Sequence, residues 1–517
     1  MTKQPISLEA VLQQEMGLTS FRIGQKEIIS DILRGQDVLG ILPTGSGKSL
    51  CYELPARILQ GKVLVVSPLI SLMMDQVKRL KAKQFKAAVA INSFMDFPTR
   101  KAIIERLDTY KLIFVSPEQL QSQSFINRLL QINIDLFVID EAHCISQWGH
   151  EFRPDYQRLG PIITALDNPV VLALTATATN YVQRDILTSL NRPDIQKHIY
   201  PMDRENIAIS IQHVEKEDDK NQVIASYLSA RPVPTLIYFT SRMMTEEVAS
   251  RLLNQFPHRR IAYYHGGMDQ VDRISIQQQF MNDQIDIVCC TSAFGMGIDK
   301  SNIRLVIHYH FPYQMEAYIQ EAGRAGRDGQ DSVSLILYSK ADEILPRRII
   351  QQELPSEQVV SAAFQILKNY AEQGISIPHS SEEIETIFQM NEVQWRFFYY
   401  QLEKHDIIVN NAILFHHETW TDAYRQIQSF IQERIQLKEN KLQSMLQWVN
   451  ETVCLRQTLY SVFQPTYKQP TGQCCSNCGF ELNKWNPSIN SIEKIFYDSW
   501  EESLRSKLLI GAEYETK

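Results

Sequence analysis

Short apolar runs alternate with helical or loop sequence through the first two thirds of the chain. This alternation is typical of parallel α/β domains. The pattern runs to about residue 200 and then starts again, so it predicts two successive α/β domains. The predicted strands are 38–42, 63–66, 112–115, 136–139, 170–174, 235–239, 261–264, 285–290, 305–309 and 333–338.

Helical periodicity replaces this alternation after Ser339. The helices are followed by two short apolar segments about an Asn-Asn turn, which predicts a hairpin. Helices followed by a hairpin are typical of a winged-helix fold, and a purely structural helical spacer is the alternative. The predicted elements are helices at 359–372, 381–389, 393–404 and 489–507 and two strands within 407–415.

The composition is that of a soluble protein with several cores. The chain has 517 residues, of which 44% are hydrophobic, and such a length fits about three or four domains. The sequence contains no run of roughly twenty apolar residues, which a membrane helix needs. Residues 1–9 lack an apolar signal segment. We therefore expect a cytoplasmic protein with no membrane partner.

The net charge of −7 limits how this chain can bind nucleic acid. Nonspecific binding to phosphates normally leaves a basic surface. A nucleic-acid partner must therefore be held by positive charge concentrated in a groove.

A glycine-rich loop follows the first predicted strand. In such a loop backbone N–H groups bind phosphate, Lys48 reaches the β and γ oxygens, and the Ser49 hydroxyl can ligate Mg²⁺. The full motif has glycine where Leu42 stands, so only its core is present, and a flexible turn before a helix is the alternative. The core is Thr44-Gly45-Ser46-Gly47-Lys48-Ser49.

Two carboxylates, Asp140 and Glu141, follow the predicted strand 136–139. Parallel sheets place their chemistry at the carboxyl ends of their strands. Asp140 would hold Mg²⁺ and Glu141 would polarise the attacking water, because phosphoryl transfer depends on positioning and charge neutralisation. Together with the loop they predict a nucleotide hydrolysis site, and a solvated acidic turn is the alternative.

The second α/β domain has no phosphate loop of its own, so we expect it to supply one wall of a single nucleotide site. Arg324 and Arg327 lie three residues apart among small residues and are expected to project toward a common point. Because a guanidinium matches phosphate oxygens and stays charged, we predict that both act as arginine fingers. Two solvated arginines at a helix end are the alternative.

An aromatic-rich run follows the two carboxylates. It contains Trp148, Phe152 and Tyr156 with His150 and Arg153 interleaved. Aromatic faces for bases and a cation for phosphate favour sequence-tolerant binding of single strands. Strand occupancy could then be reported to the hydrolysis site through a short length of chain. Aromatic residues packed in a core are the alternative.

The eight cysteines fall into two groups. Cys454, Cys474, Cys475 and Cys478 have the spacing of a tetrahedral thiolate zinc site. In a reducing cytosol, a metal is favoured over a disulfide. The remaining cysteines lie in or beside apolar runs and are expected to be reduced core thiols; they are Cys51, Cys144, Cys289 and Cys290.

In this order the motifs resemble those of superfamily 2 helicases, and within them the RecQ DNA helicases. The resemblance covers about residues 15–340 and recurs near 450–480. It implies two tandem RecA-like parallel α/β domains followed by a helical, winged-helix-like segment and a small zinc-binding module. Besides the motifs above, the matching segments are 21–25, 67–69, 116–118, 175–177, 239–242, 265–267, 291–300 and 318–329.

Further site residues are implied by the resemblance. The residues matching Arg22 and Gln25 contact adenine, and the aromatic residue that stacks on the base is replaced by Leu18 or a neighbour. Asp299 is placed at the nucleotide and Gln320 among the catalytic residues. The aromatic-rich run resembles the RecQ loop that couples DNA binding to ATP hydrolysis, with contacts from Trp148, His150, Phe152 and Arg153.

The chain departs from the family pattern in two places. In better-known members the winged helix follows the zinc module, whereas here the helical segment precedes it, so contact with duplex DNA is only an expectation. The family spacing would put one cysteine at Gly472 or Glu481, and Cys474 is the substitute. We expect no room for an additional HRDC domain.

The resemblance implies an ATP-dependent DNA helicase that moves 3′ to 5′ on single-stranded DNA and unwinds duplex DNA in recombination and repair. Its cofactors would be ATP, Mg²⁺ and Zn²⁺. We expect a monomer, associated with the nucleoid if bacterial, whose partners are DNA and single-strand-binding or recombination proteins. An RNA-dependent ATPase and a non-hydrolysing nucleic-acid clamp are the alternatives.

The expected units follow from these motifs. They are the first RecA-like domain at 1–200, the second at 201–340, the helical segment at 341–449, the zinc module at 450–485 and a C-terminal helix at 486–517.

Overall fold

A computed structural model describes residues 7–92, 95–146, 153–295, 300–378, 380–409, 412–464, 467, 469–470 and 472–487. The predicted C-terminal helix at 489–507 lies outside these ranges. None of the helices in the described ranges combines the length and apolar composition that crossing a bilayer requires.

The first lobe is built on a seven-stranded parallel sheet with the order β3-β4-β2-β5-β6-β1-β7. Its strands are β1 (Val38–Ile41), β2 (Lys62–Val66), β3 (Ala88–Ile91), β4 (Leu112–Val115), β5 (Ile134–Ile139), β6 (Val170–Thr175) and β7 (Gln196–Ile199). Its helices are α1 (Leu8–Met16), α2 (Gln25–Leu33), α3 (Leu50–Glu53), α4 (Pro55–Ile58), α5 (Ile70–Ala82), α6 (Phe97–Glu105), α7 (Gln123–Leu129), α8 (Pro154–Gln157), α9 (Leu159–Ala165) and α10 (Asn180–Ser189).

Successive residues of the central strands are buried on opposite faces of this sheet. On β2, Leu64 and Val66 pack into one apolar cluster, while Val63 and Val65 pack into another. Side chains alternate across a strand, so apolar runs such as this require helices on both faces. The sheet is therefore the middle layer of three.

The second lobe has a six-stranded parallel sheet with the order β10-β11-β9-β12-β13-β8. Its strands are β8 (Ile207–His213), β9 (Thr235–Tyr238), β10 (Ile261–Tyr264), β11 (Ile287–Cys290), β12 (Leu305–His308) and β13 (Ser332–Tyr338). Its helices are α11 (Glu217–Ala230), α12 (Arg242–Gln255), α13 (Gln270–Met281) and α14 (Met315–Ala322). The prediction of two parallel α/β domains is confirmed.

A helical part with one small hairpin follows the second sheet, as predicted. Its elements are α15 (Ile344–Glu353), α16 (Glu357–Gln373), α17 (Ser381–Phe388), α18 (Glu392–Lys404), β14 (Ile408–Val409), β15 (Ala412–Ile413), α19 (His417–Val449) and α20 (Leu455–Ser461). The Asn-Asn turn of the hairpin lies outside the described residues. Short 3₁₀ helices occur at Leu107–Thr109, Gln119–Gln121, Ala142–Ile145, Lys340–Glu343, Ser476–Cys478 and Leu482–Lys484.

The long helix α19 joins this helical part to the second lobe. Near its end the Trp448 ring lies 4.8 Å from the Tyr318 ring of α14, centroid to centroid. Lys441 forms an ion pair of 3.0 Å with Glu316 on the same helix. On the other side, Glu403 of α18 forms an ion pair with Arg158 of the first lobe. The helical part thus contacts both lobes.

Candidate active site and metal centre

The phosphate loop connects β1 to α3 at the carboxyl end of the sheet. Gly45 has φ +78° and Gly47 has φ +76°, a left-handed conformation that glycine adopts at little cost. Lys48 and Ser49 stand directly before α3. The loop therefore has the strand, glycine turn and helix start that the sequence predicts.

Arg22 and Gln25 hold this loop from its outer side. The Arg22 guanidinium donates to the Gly45 carbonyl oxygen at 2.7 Å. Gln25 Nε2 donates to the carbonyl oxygens of Ser46 and Gly47, each at 2.9 Å. Both side chains are thus at the nucleotide loop, although contact with adenine stays a prediction.

Asp140 lies at the end of β5 and is 8% exposed. Burial, reinforced by the neighbouring Glu141, raises the pKa of Asp140 to about 7, while Lys48 opposes the rise. The positive charge of Lys48 thus acts on the Asp140 carboxyl group. The Asp140 carboxylate and the Ser49 hydroxyl offer oxygen atoms, which are the ligands that Mg²⁺ prefers.

The turn after Asp140 is tied to the next strand of the sheet. Glu141 has φ +50°, and its carboxylate lies 3.4 Å from His143 Nδ1. The same nitrogen lies 2.9 Å from the Thr175 hydroxyl at the end of β6, which also bonds to Thr177. The two motifs 140–143 and 175–177 thus form one hydrogen-bonded unit.

The second lobe meets the phosphate loop through the segment that follows α14. The Thr44 hydroxyl donates to the Gly323 carbonyl oxygen at 3.1 Å, and a Cβ on Gly323 would overlap that hydroxyl. Arg327 Cγ lies 3.0 Å from the position of a Cβ on Gly45. Close approach of the lobes therefore requires glycine on both sides.

The two arginines of this segment have different neighbours, and their roles as arginine fingers stay a prediction. Arg324 is 4% exposed and donates to the Gly295 carbonyl oxygen within its own lobe. Gly326 has φ +55° and turns the chain between the two, which leaves Arg327 at the phosphate loop. Gln320 is buried on α14 in the same region.

Several predicted residues lie outside the described part of the chain. Trp148, His150 and Phe152 fall within 147–152, and Asp299 falls within 296–299. Arg153 is described, and its backbone N–H donates to the Cys144 carbonyl oxygen at 3.1 Å. Their contacts with DNA or nucleotide stay predictions.

Tyr156 was expected to offer its ring to a base, and this expectation is wrong. Its side chain is 0% exposed, so no base can stack on it. Its hydroxyl donates to the Asp140 carbonyl oxygen at 3.1 Å. The end of the aromatic-rich run is therefore bonded directly to the carboxylate motif, and the core alternative holds for this residue.

The four late cysteines form one cluster. The sulfur atoms of Cys454, Cys474, Cys475 and Cys478 all lie within 4.8 Å of one another. Four converging thiols match the ligand set of a structural zinc site. Glu481, one of the two positions at which the family spacing would put a cysteine, instead forms an ion pair of 2.8 Å with Lys484. The Cys474 sulfur lies in the cluster, and its role as the substitute ligand stays a prediction.

The remaining cysteines are core thiols, as predicted. All four are buried, namely Cys51, Cys144, Cys289 and Cys290. Burial raises the pKa of the Cys51 thiol to about 12, so this thiol is protonated at neutral pH.

Sequence reasoning missed Arg204, in the linker between β7 and β8. Its guanidinium donates to the Thr44 carbonyl oxygen at 3.0 Å and to the Gly326 carbonyl oxygen at 2.6 Å. A single arginine in a connecting segment belongs to no motif, and its partners are far away in the sequence. Only the folded chain reveals it.

Three family models match the chain. The DEAD/DEAH box helicase model matches residues 22–185, the helicase conserved C-terminal domain model matches 219–329, and the RecQ zinc-binding model matches 421–479. The last match includes all four clustered cysteines.

Curated relatives agree with these models. The probable ATP-dependent DNA helicase RecS of Bacillus subtilis is 38% identical over 96% of this chain and 97% of its own length. The ATP-dependent DNA helicase RecQ of the same organism is 42% identical over 68% of this chain and 59% of its own length. The RecQ protein of Haemophilus influenzae is 39% identical over 72% and 60%. The chain thus spans nearly all of RecS and about three fifths of these RecQ proteins.

Solved structures share the two-lobe fold. Mss116p bound to single-stranded RNA and AMP-PNP has a TM-score of 0.56 and 19% identity, covering 86% of this chain and 93% of its own. The Mycobacterium smegmatis helicase Lhr bound to single-stranded DNA and AMP-PNP has a TM-score of 0.55 and 19% identity, covering 74% and 55%. At this identity the likeness concerns the fold alone.

Proposed function

The chain belongs to the RecQ family of superfamily 2 helicases, which are ATP-dependent DNA helicases, and on that premise we propose that it moves 3′ to 5′ on single-stranded DNA. Movement unwinds duplex DNA during recombination and repair. The observation that carries the proposal is the meeting of the phosphate loop with the second lobe, through Thr44 and Gly323. A cleft made from both lobes lets ATP binding and hydrolysis change how they are joined.

In this proposal each lobe contributes its own charges to the reaction. Lys48 binds the β and γ phosphates from the first lobe, and Arg327 approaches the same loop from the second. Both are cations, so they stabilise the negative charge that develops on the transferred phosphoryl group. Gln320 and Arg324 complete the second wall when the lobes close.

Asp140 and Glu141 have different roles, metal binding for the first and orientation of water for the second. Asp140 and the Ser49 hydroxyl would hold Mg²⁺, which neutralises phosphate charge when bound. Its carboxylate is buried, with its pKa raised by that burial, and so favours a cation as partner. Glu141 orients the attacking water, and its position is fixed through His143.

DNA binding is assigned to the aromatic-rich run, with Trp148, His150, Phe152 and Arg153 as contacts. Tyr156 supports a path from this run to the reaction, because its hydroxyl bonds to the backbone of Asp140. Arg22 and Gln25 are proposed to read adenine, and Asp299 to contact the nucleotide from the second lobe. The zinc module holds its fold through the four clustered cysteines.

We further propose that the protein works as a monomer, in the cytoplasm and at the nucleoid in a bacterium, with single-strand-binding and recombination proteins as partners. Its working units divide near residues 200, 340, 449 and 485, as the motifs indicate.

A strand-displacement assay tests the proposal. Purified protein is given duplexes with a 3′ tail, with a 5′ tail, or with RNA strands, with and without ATP. We expect displacement of the 3′-tailed DNA duplex only, and only with ATP. Lys48→Ala should abolish ATP turnover and displacement while single-strand binding persists, since Lys48 contacts phosphate rather than DNA.

The outcomes separate the alternatives. Displacement from 5′ tails would overturn the polarity, and ATP turnover stimulated by RNA but not by DNA would identify an RNA-dependent ATPase. Binding of single-stranded DNA without any ATP turnover would identify a clamp. Unchanged turnover in Lys48→Ala would overturn the assignment of the phosphate loop.

A further inference from the structure

The linker between the lobes carries a half-buried arginine that bonds to both walls of the nucleotide cleft. Arg204 lies between β7 of the first sheet and β8 of the second. Its Nη1 donates to the carbonyl oxygen of Thr44 at 3.0 Å and reaches that of Gly323 at 3.4 Å. Its Nη2 donates to the carbonyl oxygen of Gly326 at 2.6 Å. One guanidinium therefore spans the phosphate loop and the arginine-bearing segment.

These partners are backbone carbonyls, so the contact depends on how the loops are placed. Burial lowers the pKa of Arg204, which reports the cost of removing its charge from water. Carbonyl oxygens from both lobes offset that cost only when the lobes are together. The Arg204 side chain thus stabilises the arrangement in which the two lobes are together.

The zinc module holds the backbone of the same linker. Arg456 of α20 is 1% exposed and forms an ion pair with Asp203. It also donates to the carbonyl oxygens of Arg204, at 3.1 Å, and of Ile207. The Gln464 side chain accepts from the backbone N–H of Met202 at 3.1 Å. Contacts from one module therefore surround the position of Arg204.

The module is also fixed to the second lobe beside the linker. Cys475 pairs with Ile209 of β8 in a parallel bridge. The Ile209 backbone N–H donates to the carbonyl oxygen of Cys474 at 3.1 Å. The cysteine cluster, the linker and the first residues of β8 thus form one continuous hydrogen-bonded structure.

We propose that Arg204 is a positioning residue that helps to close the ATP cleft. The zinc module fixes the position of Arg204 through the ion pair of Arg456 with Asp203. The inference rests on the nucleotide cleft proposed above. Arg204 acts on the backbone of the two loops and leaves the phosphates to Lys48 and Arg327. The zinc module thereby contributes to ATP hydrolysis without reaching the nucleotide.

The test uses full-length, zinc-loaded protein with Arg204→Ala, Arg204→Lys and Asp203→Asn. Arg259→Ala is the matched control, because Arg259 also donates to backbone carbonyl oxygens of the second lobe, at 2.9 Å for Leu228, away from the cleft. For each variant we measure the Kd of a fluorescent ATP analogue, kcat for ATP hydrolysis at saturating single-stranded DNA, zinc content and Tm.

For Arg204→Ala we expect kcat to fall about 10- to 100-fold, the range that loss of one or two charged hydrogen bonds gives, while Kd changes by less than about threefold. Arg204→Lys should recover part of kcat, because an ammonium keeps the charge but cannot span both loops. Asp203→Asn should lower kcat about 3- to 10-fold at unchanged zinc content.

The double variant Asp203→Asn/Arg204→Ala measures the coupling between these two residues in their effect on kcat. If both residues act in one chain, its loss of kcat should be less than the product of the two single losses. Wild-type kcat in Arg204→Ala, equal effects on kcat and Kd, or independent losses in the double variant would overturn the inference. Absence of ATP turnover in the wild-type protein would instead overturn the proposed cleft.

Discussion

Glu141 has a left-handed backbone at φ +50°, which costs free energy for a residue with a Cβ. The neighbouring bonds hold it there: the Asp140 carboxylate accepts from the Glu141 backbone N–H at 3.0 Å, and His143 lies beside the Glu141 carboxylate. Such a turn can change its arrangement when one of its supports is lost. The proposed coupling of DNA binding to hydrolysis would act through these supports.

Tyr156→Phe tests that basis because it removes one hydroxyl and keeps the ring. The hydroxyl donates to the Asp140 carbonyl oxygen, so the variant should lower DNA-stimulated ATP turnover about threefold to tenfold while turnover without DNA changes less. Stability should fall by about 1 kcal/mol, the usual value of one hydrogen bond. Steady-state kinetics with and without single-stranded DNA and thermal unfolding measure both.

The control for this variant is Tyr309→Phe. Tyr309 also loses one hydrogen bond, the 3.2 Å contact of its hydroxyl with Glu217, but it lies away from the carboxylate motif. It should change stability and leave the DNA stimulation as it is. Equal loss of stimulation in the two variants would contradict a specific path through Tyr156.

The residue types of the site were predictable, but their directions were not. Gly45, Lys48 and Asp140 follow from motif and strand order, because loops at the carboxyl ends of parallel strands share one edge. Gly326, between Arg324 and Arg327, has a φ of +55°, and this turn cannot be predicted from the spacing of the two arginines. The contact from Arg204 joins sequence positions that no local pattern relates.

At the scale of elements, the strongly apolar strands were found and the weaker ones were missed. The strand β7 contains Gln196, Lys197 and His198 before Ile199 and is an edge strand of its sheet, so it needs little burial. The strand β3 at Ala88–Ile91 is short and half of it is alanine, a residue that is uncommon in strands. Both are set by pairing with neighbours rather than by their own pattern.

The helix α19 was missed for a different reason. On the buried face of this helix, two positions are occupied by charged residues instead of apolar ones. They are Arg434 and Lys438. Both approach Glu353 of α15, Lys438 as a direct ion pair. A pattern of apolar residues cannot anticipate a buried charge whose partner is on another helix.

Zinc binding is the prediction that belongs to the cysteine cluster. Elemental analysis of purified protein should find about one zinc per chain. Cys474→Ser and Cys475→Ser should each lower the zinc content, because both sulfur atoms lie in the cluster. Tm should fall with zinc content, since structural zinc contributes folding free energy.

Cys289→Ala is the control, since Cys289 is buried on β11 away from the cluster. It should keep its zinc. Full zinc content in Cys474→Ser would show that three cysteines suffice, and less than a tenth of a zinc per wild-type chain would remove the site altogether.

At the scale of the whole molecule, the cleft, the linker and the zinc module are joined by bonds from both lobes. Thr44 of the first lobe meets Gly323 of the second, and the helical part contacts each lobe at a different place. A change in how the lobes are joined would therefore also affect the contacts of the helical part. Helicase activity is therefore expected to depend on the contacts between the two lobes and not on either lobe alone.

Lobe closure should therefore be visible directly. Fluorescent labels placed through unnatural amino acids at Phe97 of the first lobe and Met243 of the second, which are 67% and 79% exposed, report the distance between the lobes. AMP-PNP should raise energy transfer and ADP should lower it, because the γ phosphate attracts cations from both walls. Arg327→Ala should bind AMP-PNP within about threefold of wild type yet give less than half of the rise in transfer, since the first lobe supplies most of the binding contacts. A full rise in that variant would mean that closure does not depend on the second lobe's arginine, and the two-walled cleft would have to be abandoned.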